Sequence, residues 1–300
     1  MRKMSLERVA TLTSSLTATI LILIKLSIGI ASGSVAVLAS AVDSVLDLIV
    51  SAFNYFAIKK SETPPDKIFN YGRGKIEALA AVIEGTIIAV SGLFIFYSAI
   101  KKAYLGSETS YIGAALWVMM ISLILTFALV LFLQYVSNKT GSLVIKSDAL
   151  HYKTDLLSNG AVLISLVIVY FSGIELVDSL IGLFIAIYII YSAYGLVKEG
   201  VYILLDAALD EEIVENIEKI IKEEELVTSF HNFKTRRSAH TNYVEVHLVF
   251  NSSISLLYAH FATEKIEDRI RNLDIKEIWD INIHLDPYDD SLEDSEALNR

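Results

Sequence analysis

The chain of 300 residues contains no cysteine. That absence excludes disulfides, thiolate metal sites and thiol redox chemistry. It also lacks the positive density that nucleic acid demands: the net charge is −10, and most of the acidic excess falls in the last third. No cleavable leader is expected, because the apolar stretch after "MRKMSLER" is far longer than a signal core and has no evident cleavage site. What the chain has in excess is apolar residues. They make up 54% of it, with a mean hydropathy of +0.52, against about 45–50% in ordinary soluble domains.

The excess is concentrated in the first two thirds. Six stretches are long enough for a hydrocarbon core of about 30 Å, which takes about 20 helical residues: 9–31, 35–58, 77–100, 112–136, 144–172 and 174–197. A polytopic membrane protein is therefore expected. The loop between the second and third spans, "KKSETPPDKIFNYGRGK", carries Lys59, Lys60, Lys67, Arg73 and Lys75, and Lys139 and Lys146 flank the next loop on the same side. The loops "ASGS" and "SGIE" carry no positive charge, and Lys101 and Lys102 dilute the bias without reversing it. Both termini are thus expected in the cytoplasm.

Beyond residue 207 the pattern is that of a small soluble domain. Ile213, Ile217, Ile220 and Ile221 recur at helical spacing. "TNYVEVHLVF" alternates, with Val244, Val246, Leu248 and Phe250 on one face, and "EIWDINIHLD" alternates with Trp279, Ile281, Ile283 and Leu285 inward. A strand near 228–236 and a helix over 254–272 complete an αββαβ order, a small α+β sandwich. The predicted domains are 1–207 in the membrane, 208–288 as the cytoplasmic α+β unit, and an acidic, disordered tail over 289–300.

Charged residues inside the spans are the informative exceptions. In "ASAVDSVLDLIVS", Asp43 and Asp47 lie four residues apart and share a helical face; His151 and Asp155 repeat the spacing in "SDALHYKTDLLSN". A carboxylate at mid-membrane costs about 2.5–3.5 kcal/mol on insertion scales, so such groups rarely face lipid and mark a pathway. Two such pairs on facing helices would offer three carboxylates and one imidazole to a divalent cation, a set that zinc accepts tetrahedrally. Ala39, Ser40, Ser44 and Ser158 would let the helices approach. The plain alternative is polar helix packing; two acid-bearing pairs weigh against it. Asp148, a turn nearer the cytoplasm, reads as a mouth or packing residue. Five histidines lie beyond residue 230, and their clustering points to a second metal site.

The segments "SGSVAVLASAVDSVLDLIVS", "YGRGKIEALAAVIEG", "SDALHYKTDLLSNGAVLI" and "IYIIYSAYGLVKEGVYILLDAALDEE" resemble the cation diffusion facilitator family of metal exporters over nearly the whole chain. The resemblance implies a six-helix transmembrane bundle followed by a metallochaperone-like cytoplasmic domain, homodimers, and exchange of a divalent metal for protons. It makes Asp43, Asp47, His151 and Asp155 the ligands of the transported ion. Zn2+ is the expected substrate and structural metal, with Fe2+, Cd2+ and Mn2+ as alternative substrates. "SFHNF", "VEVHL", "YAHFA" and "INIHLDP" match the family's cytoplasmic ligand positions, which implies a binuclear site of His231, His247, His260, His284 and Asp286 near the dimer contact. His240 has no counterpart and reads as a loop residue. Lys75 and Asp206 match positions that form a salt-bridge link at that contact. Relatives often carry a further loop site of one Asp and two His; here Asp66 is kept, but Phe69 and Arg73 replace the histidines, so that site is expected to be absent.

Two other classes compete with this reading. Paired intramembrane aspartates also serve in proteases, but the GxGD motif is missing and His151 favours metal. A non-transporting metal sensor or scaffold would have no need of four ionisable groups in the membrane.

Overall fold

The computed structural model describes residues 4–32, 35–105, 113–172, 176–275 and 277–291. Six long helices come first: α1 (Leu6–Ser32), α2 (Val35–Ser61), α3 (Lys75–Leu105), α4 (Gly113–Thr140), α5 (Leu143–Ser172) and α6 (Leu176–Leu204). Each expected span lies almost wholly within one of them, and most helices run several residues further. Hydropathy reports only the lipid-facing length, whereas intrahelical hydrogen bonding continues into the polar interface.

Five helices, α1 to α4 and α6, are long and apolar enough among the described residues to cross a membrane. The sixth expected span, α5, is a long helix whose first half carries Lys146, Asp148, His151, Lys153 and Asp155. Neighbouring helices receive part of this charge. Ser147, Asp148 and Tyr152 are fully buried, Lys146 pairs with Glu199, and Lys153 Nζ donates to the Tyr188 hydroxyl at 2.5 Å.

The bundle is patterned inside out relative to a water-soluble one. Leu16, Leu23, Ile30, Phe94, Trp117 and Phe184 face outward, while Ser14, Ser44, Ser51, Asn54, Glu84, Ser147 and Asp148 are buried. Lipid takes the apolar side chains, and the interior supplies partners for the polar ones. Close approach of α3 and α6 depends on glycine: a Cβ at Gly200 would meet Val82 Cγ2 at 2.6 Å and the Ala78 carbonyl oxygen at 3.1 Å.

Contacts divide the chain into Met1–Val201 and Tyr202–Arg300. The second unit holds α7 (Glu211–Lys222), β1 (Val227–Ser238), β2 (Thr241–Phe250), α8 (Leu256–Arg271) and β3 (Ile278–Asp286), the αββαβ order read from the sequence. β1 and β2 pair antiparallel, and β2 and β3 pair parallel across the α8 crossover. Val244, Val246, Leu248 and Phe250 of β2 pack with Ile217, Ile220 and Ile221 of α7 and with Ala259, Ala262, Ile266 and Ile270 of α8. The inward residues of β3, Trp279, Ile281, Ile283 and Leu285, join this core. Strand alternation then sends His247 and His284 to the opposite face, where the register aligns His231, His247 and His284 across the three strands. The expected acidic tail falls mostly on residues 292–300, outside the described residues.

Candidate metal centres

Asp47 on α2 and His151 and Asp155 on α5 bring one ligand atom each to within 4.8 Å of one another. His151 Nε2 lies 3.2 Å from Asp47 Oδ1 and 3.8 Å from Asp155 Oδ2. Ligands on a tetrahedral ion at bond lengths of about 2.0–2.1 Å are separated by about 3.3 Å, so small side-chain motions would close this set on a cation. Asp47 and His151 are mostly buried and Asp155 is more open, with 38% of its side chain exposed. The group is enclosed yet reachable. Asp43, one turn away on α2, is exposed and lies outside the three-residue set.

Lys25 of α1, which the sequence reading did not single out, borders this group. Its Nζ donates to Ser44 Oγ at 2.7 Å and to the Ser40 carbonyl at 3.1 Å, within electrostatic range of Asp47, Asp155 and Asp43. Ser40 and Ser44, expected to ease helix approach, are thus polar partners of α1; the Ala39 side chain lies outside the described residues.

A turn closer to the cytoplasm the bundle buries a second polar group. Asp148 accepts from Ser14 Oγ at 2.7 Å and from Asn54 Nδ2 at 3.3 Å. The same Asn54 amide donates to Glu84 Oε2 at 3.1 Å, and Ser147 Oγ donates to that oxygen as well. Ser51 and Tyr152 share a hydroxyl hydrogen bond at 3.0 Å beside them. Asp148 is therefore a fully buried packing and network residue. Lys25 and Glu84 each stand alone in an apolar run, "ILILIKLSIGI" and "AAVIEGTIIAV". That is the signal that marked Asp47, but without an i,i+4 companion.

In the second unit, His231, His247, Asp286 and Asp290 bring ligand atoms within 4.8 Å of one another. His247 Nδ1 lies 3.1 Å from Asp286 Oδ2, and His231 Nε2 lies 3.6 Å from the same oxygen and 3.1 Å from Asp290 Oδ1. These are again the edge lengths of a tetrahedral metal site. The His284 ring lies 4.7 Å from that of His247, tilted by 41°, and reaches the other carboxylate oxygen, Asp286 Oδ1, at 3.2 Å. The two Asp286 oxygens thus face different histidines, Oδ2 toward His231 and His247 and Oδ1 toward His284. His260 is not in the cluster: it is exposed on α8, 3.5 Å from Glu264. His240 sits in the β1–β2 turn, its carbonyl accepting from Ile278 N at 2.8 Å.

Asp206 follows α6 with a left-handed φ of 57°, its Oδ1 3.5 Å from Arg236 Nη1. Lys75 opens α3. In the loop between α2 and α3, Asp66 Oδ1 accepts from the backbone N–H groups of Ile68 and Phe69 at 2.9 and 2.8 Å. Its Oδ2 accepts from Arg73 at 2.6 Å, and the guanidinium lies over the Phe69 ring at 4.3 Å. The lone carboxylate is engaged by its own turn. These donors, the Phe69 N–H foremost, hold its pKa down from 3.8 to about 2. Because the folded value is depressed, the contribution to the turn is present above pH 3.8 and is lost as pH falls through about 2. The Asp66 carboxyl carbon should therefore titrate by NMR near pH 2, and Arg73→Ala should move the midpoint upward.

Residues 11–205 match the cation efflux transmembrane domain, and residues 209–288 match the cytoplasmic domain of cation efflux proteins. The chain belongs to the cation efflux family. The cation-efflux pump FieF of Yersinia enterocolitica is 35% identical over 282 residues, 94% of this chain and 93% of that protein. The FieF of Citrobacter koseri is 34% identical over 278 residues, 93% and 92% of the two chains. Membership in the cation efflux family makes the chain a multi-pass membrane transporter with a cytoplasmic C-terminal domain, not an enzyme.

Proposed function

We propose that the chain is a homodimeric, proton-coupled antiporter that exports a divalent transition metal, Zn2+ first among them, across the cytoplasmic membrane of a bacterium. The observation that carries this reading is the convergence of Asp47, His151 and Asp155 from two helices of the bundle. Asp43 is the fourth ligand of the proposed site, brought in by a rearrangement of α2. Metal ligands must be deprotonated to bind, and an imidazole ordinarily titrates near pH ~6.5. Protons and metal therefore compete for one set of atoms, and exposing that set alternately to the two sides couples their fluxes.

In the same reading His231, His247, His284 and Asp286, together with His260, form a binuclear cytoplasmic site near the dimer contact. The Lys75–Asp206 pair then links the two halves of the dimer. The donors fit such metals, since the separations around Asp286 Oδ2 are those of tetrahedral edges. The oxygen-rich transmembrane set favours one further reading, export of Fe2+, Mn2+ or Cd2+.

The test is metal uptake by proteoliposomes that contain the wild-type chain and a luminal pH dye. Zinc entry accompanied by luminal alkalinisation is the expected result. Entry without a pH change would remove the proton coupling, and entry of iron or manganese alone would reassign the ion. If no metal moves, the sensor reading replaces transport.

A further inference from the structure

Asp290 lies four residues beyond the last ligand of the cytoplasmic cluster, in a run of acids that reads as a solvated tail. The structure holds it elsewhere. Asp290 Oδ1 is buried and 3.1 Å from His231 Nε2, and it falls within the same 4.8 Å sphere as the donors of His231, His247 and Asp286. The intervening chain touches β1, where Ser229 Oγ donates to Asp289 Oδ2 at 3.3 Å, and it is turned locally by Ser291 N donating to Asp289 Oδ1 at 3.1 Å. On the β1 side, the strand breaks register between His231 and Lys234, and Asn232 adopts a left-handed φ of 50°. That bulge lies beside His231, on the strand that Asp289 and Asp290 contact.

We propose that Asp290 is the fourth protein ligand of the His231–His247–Asp286 site, so that this metal is closed off from water by the chain's own tail. The proposal rests on the cytoplasmic-site reading above. Two nitrogens and two carboxylate oxygens complete a tetrahedron, and a tetrahedron made wholly of protein ligands is the signature of a structural site. In the membrane three donors converge among the described residues, and the fourth ligand proposed above, Asp43, has to move in and out, as exchange requires. The two centres therefore differ in kind: one is built to release its ion, the other to keep it. Retention has a structural consequence, since metal bound through Asp290 ties the tail across β1 and stabilises the face that carries the histidine ladder.

The absence of cysteine makes the test specific. In Asp290→Cys the introduced thiol is the only one in the chain. Full-length protein in detergent is titrated with Co2+ and read by absorption, then with Zn2+ in competition with a chelator. Asp290→Cys is expected to develop a thiolate-to-cobalt charge-transfer band that is lost in the double variant with His231→Ala. Asp290→Asn is expected to weaken zinc at the His231-dependent site by at least the roughly 10–100-fold associated with losing a supporting partner. Asp268→Asn, an exposed acid of α8, should leave the site unchanged. A Cys variant without the band, beside a wild type whose cobalt spectrum does depend on His231, would overturn the role of Asp290 and leave the three-residue site standing. A wild type with no His231-dependent cobalt at all would overturn the cytoplasmic site and the proposal with it.

Discussion

His151→Ala is expected to abolish metal flux in proteoliposomes, and Asp155→Ala to do the same, each by about 100-fold or more at subsaturating metal. The size follows from the ligand count. Loss of a merely supporting hydrogen-bond partner costs a metal site about 10–100-fold in affinity; these substitutions remove one of the three donors that converge in the bundle among the described residues. His151 is also the only nitrogen among them, and its Nε2 faces both carboxylates, at 3.2 and 3.8 Å. Alanine there leaves two acids facing each other with nothing to share but a proton. Asp43→Ala discriminates further: exposed and outside the trio, Asp43 matters only if the helices rearrange, so its loss should slow turnover more than it weakens binding. Retention of half the wild-type flux in both His151→Ala and Asp155→Ala would show that the ion takes another route.

The legibility of this chain follows the physics of each signal. Spans could be read because lipid contact demands apolar residues over a fixed length, and β2 and β3 because alternation maps directly onto two faces of a sheet. α5 was harder: its first half is polar, and only its place inside the bundle explains how Asp148 can be fully buried there. Pairs at i,i+4 exposed Asp47, His151 and Asp155, since helical geometry makes such neighbours a unit. Lys25 and Glu84 have no companion at that spacing, and their partners come from other helices, which a linear pattern does not reveal. Asp290 was hidden for a different reason. Its neighbours are all acidic, a composition that ordinarily means solvent, and only the three-dimensional approach of His231 distinguishes it from them.

Asn54→Leu should be among the most destabilising substitutions available in the membrane unit, by about 2–6 kcal/mol, because two buried acceptors each lose a donor at a cost of roughly 1–3 kcal/mol. Leucine keeps the branched skeleton and is bulkier, so no cavity forms, and overpacking of this buried site adds to the loss. What disappears is the amide that serves two carboxyl groups at once, Glu84 Oε2 at 3.1 Å and Asp148 Oδ1 at 3.3 Å. Both groups are buried, and water cannot replace the lost donor without opening the bundle. The measurement is thermal unfolding in detergent. Leu46, which faces outward on the same helix, supplies the reference, and Leu46→Ala should have little effect. If the shared donor is the cause, Glu84→Gln should partly rescue Asn54→Leu, because the glutamine amide brings a donor of its own into the site. The double variant would then be more stable than the sum of the single effects allows. Strict additivity, or an Asn54→Leu midpoint indistinguishable from wild type, would mean that Ser14 and Ser147 alone satisfy the two acids.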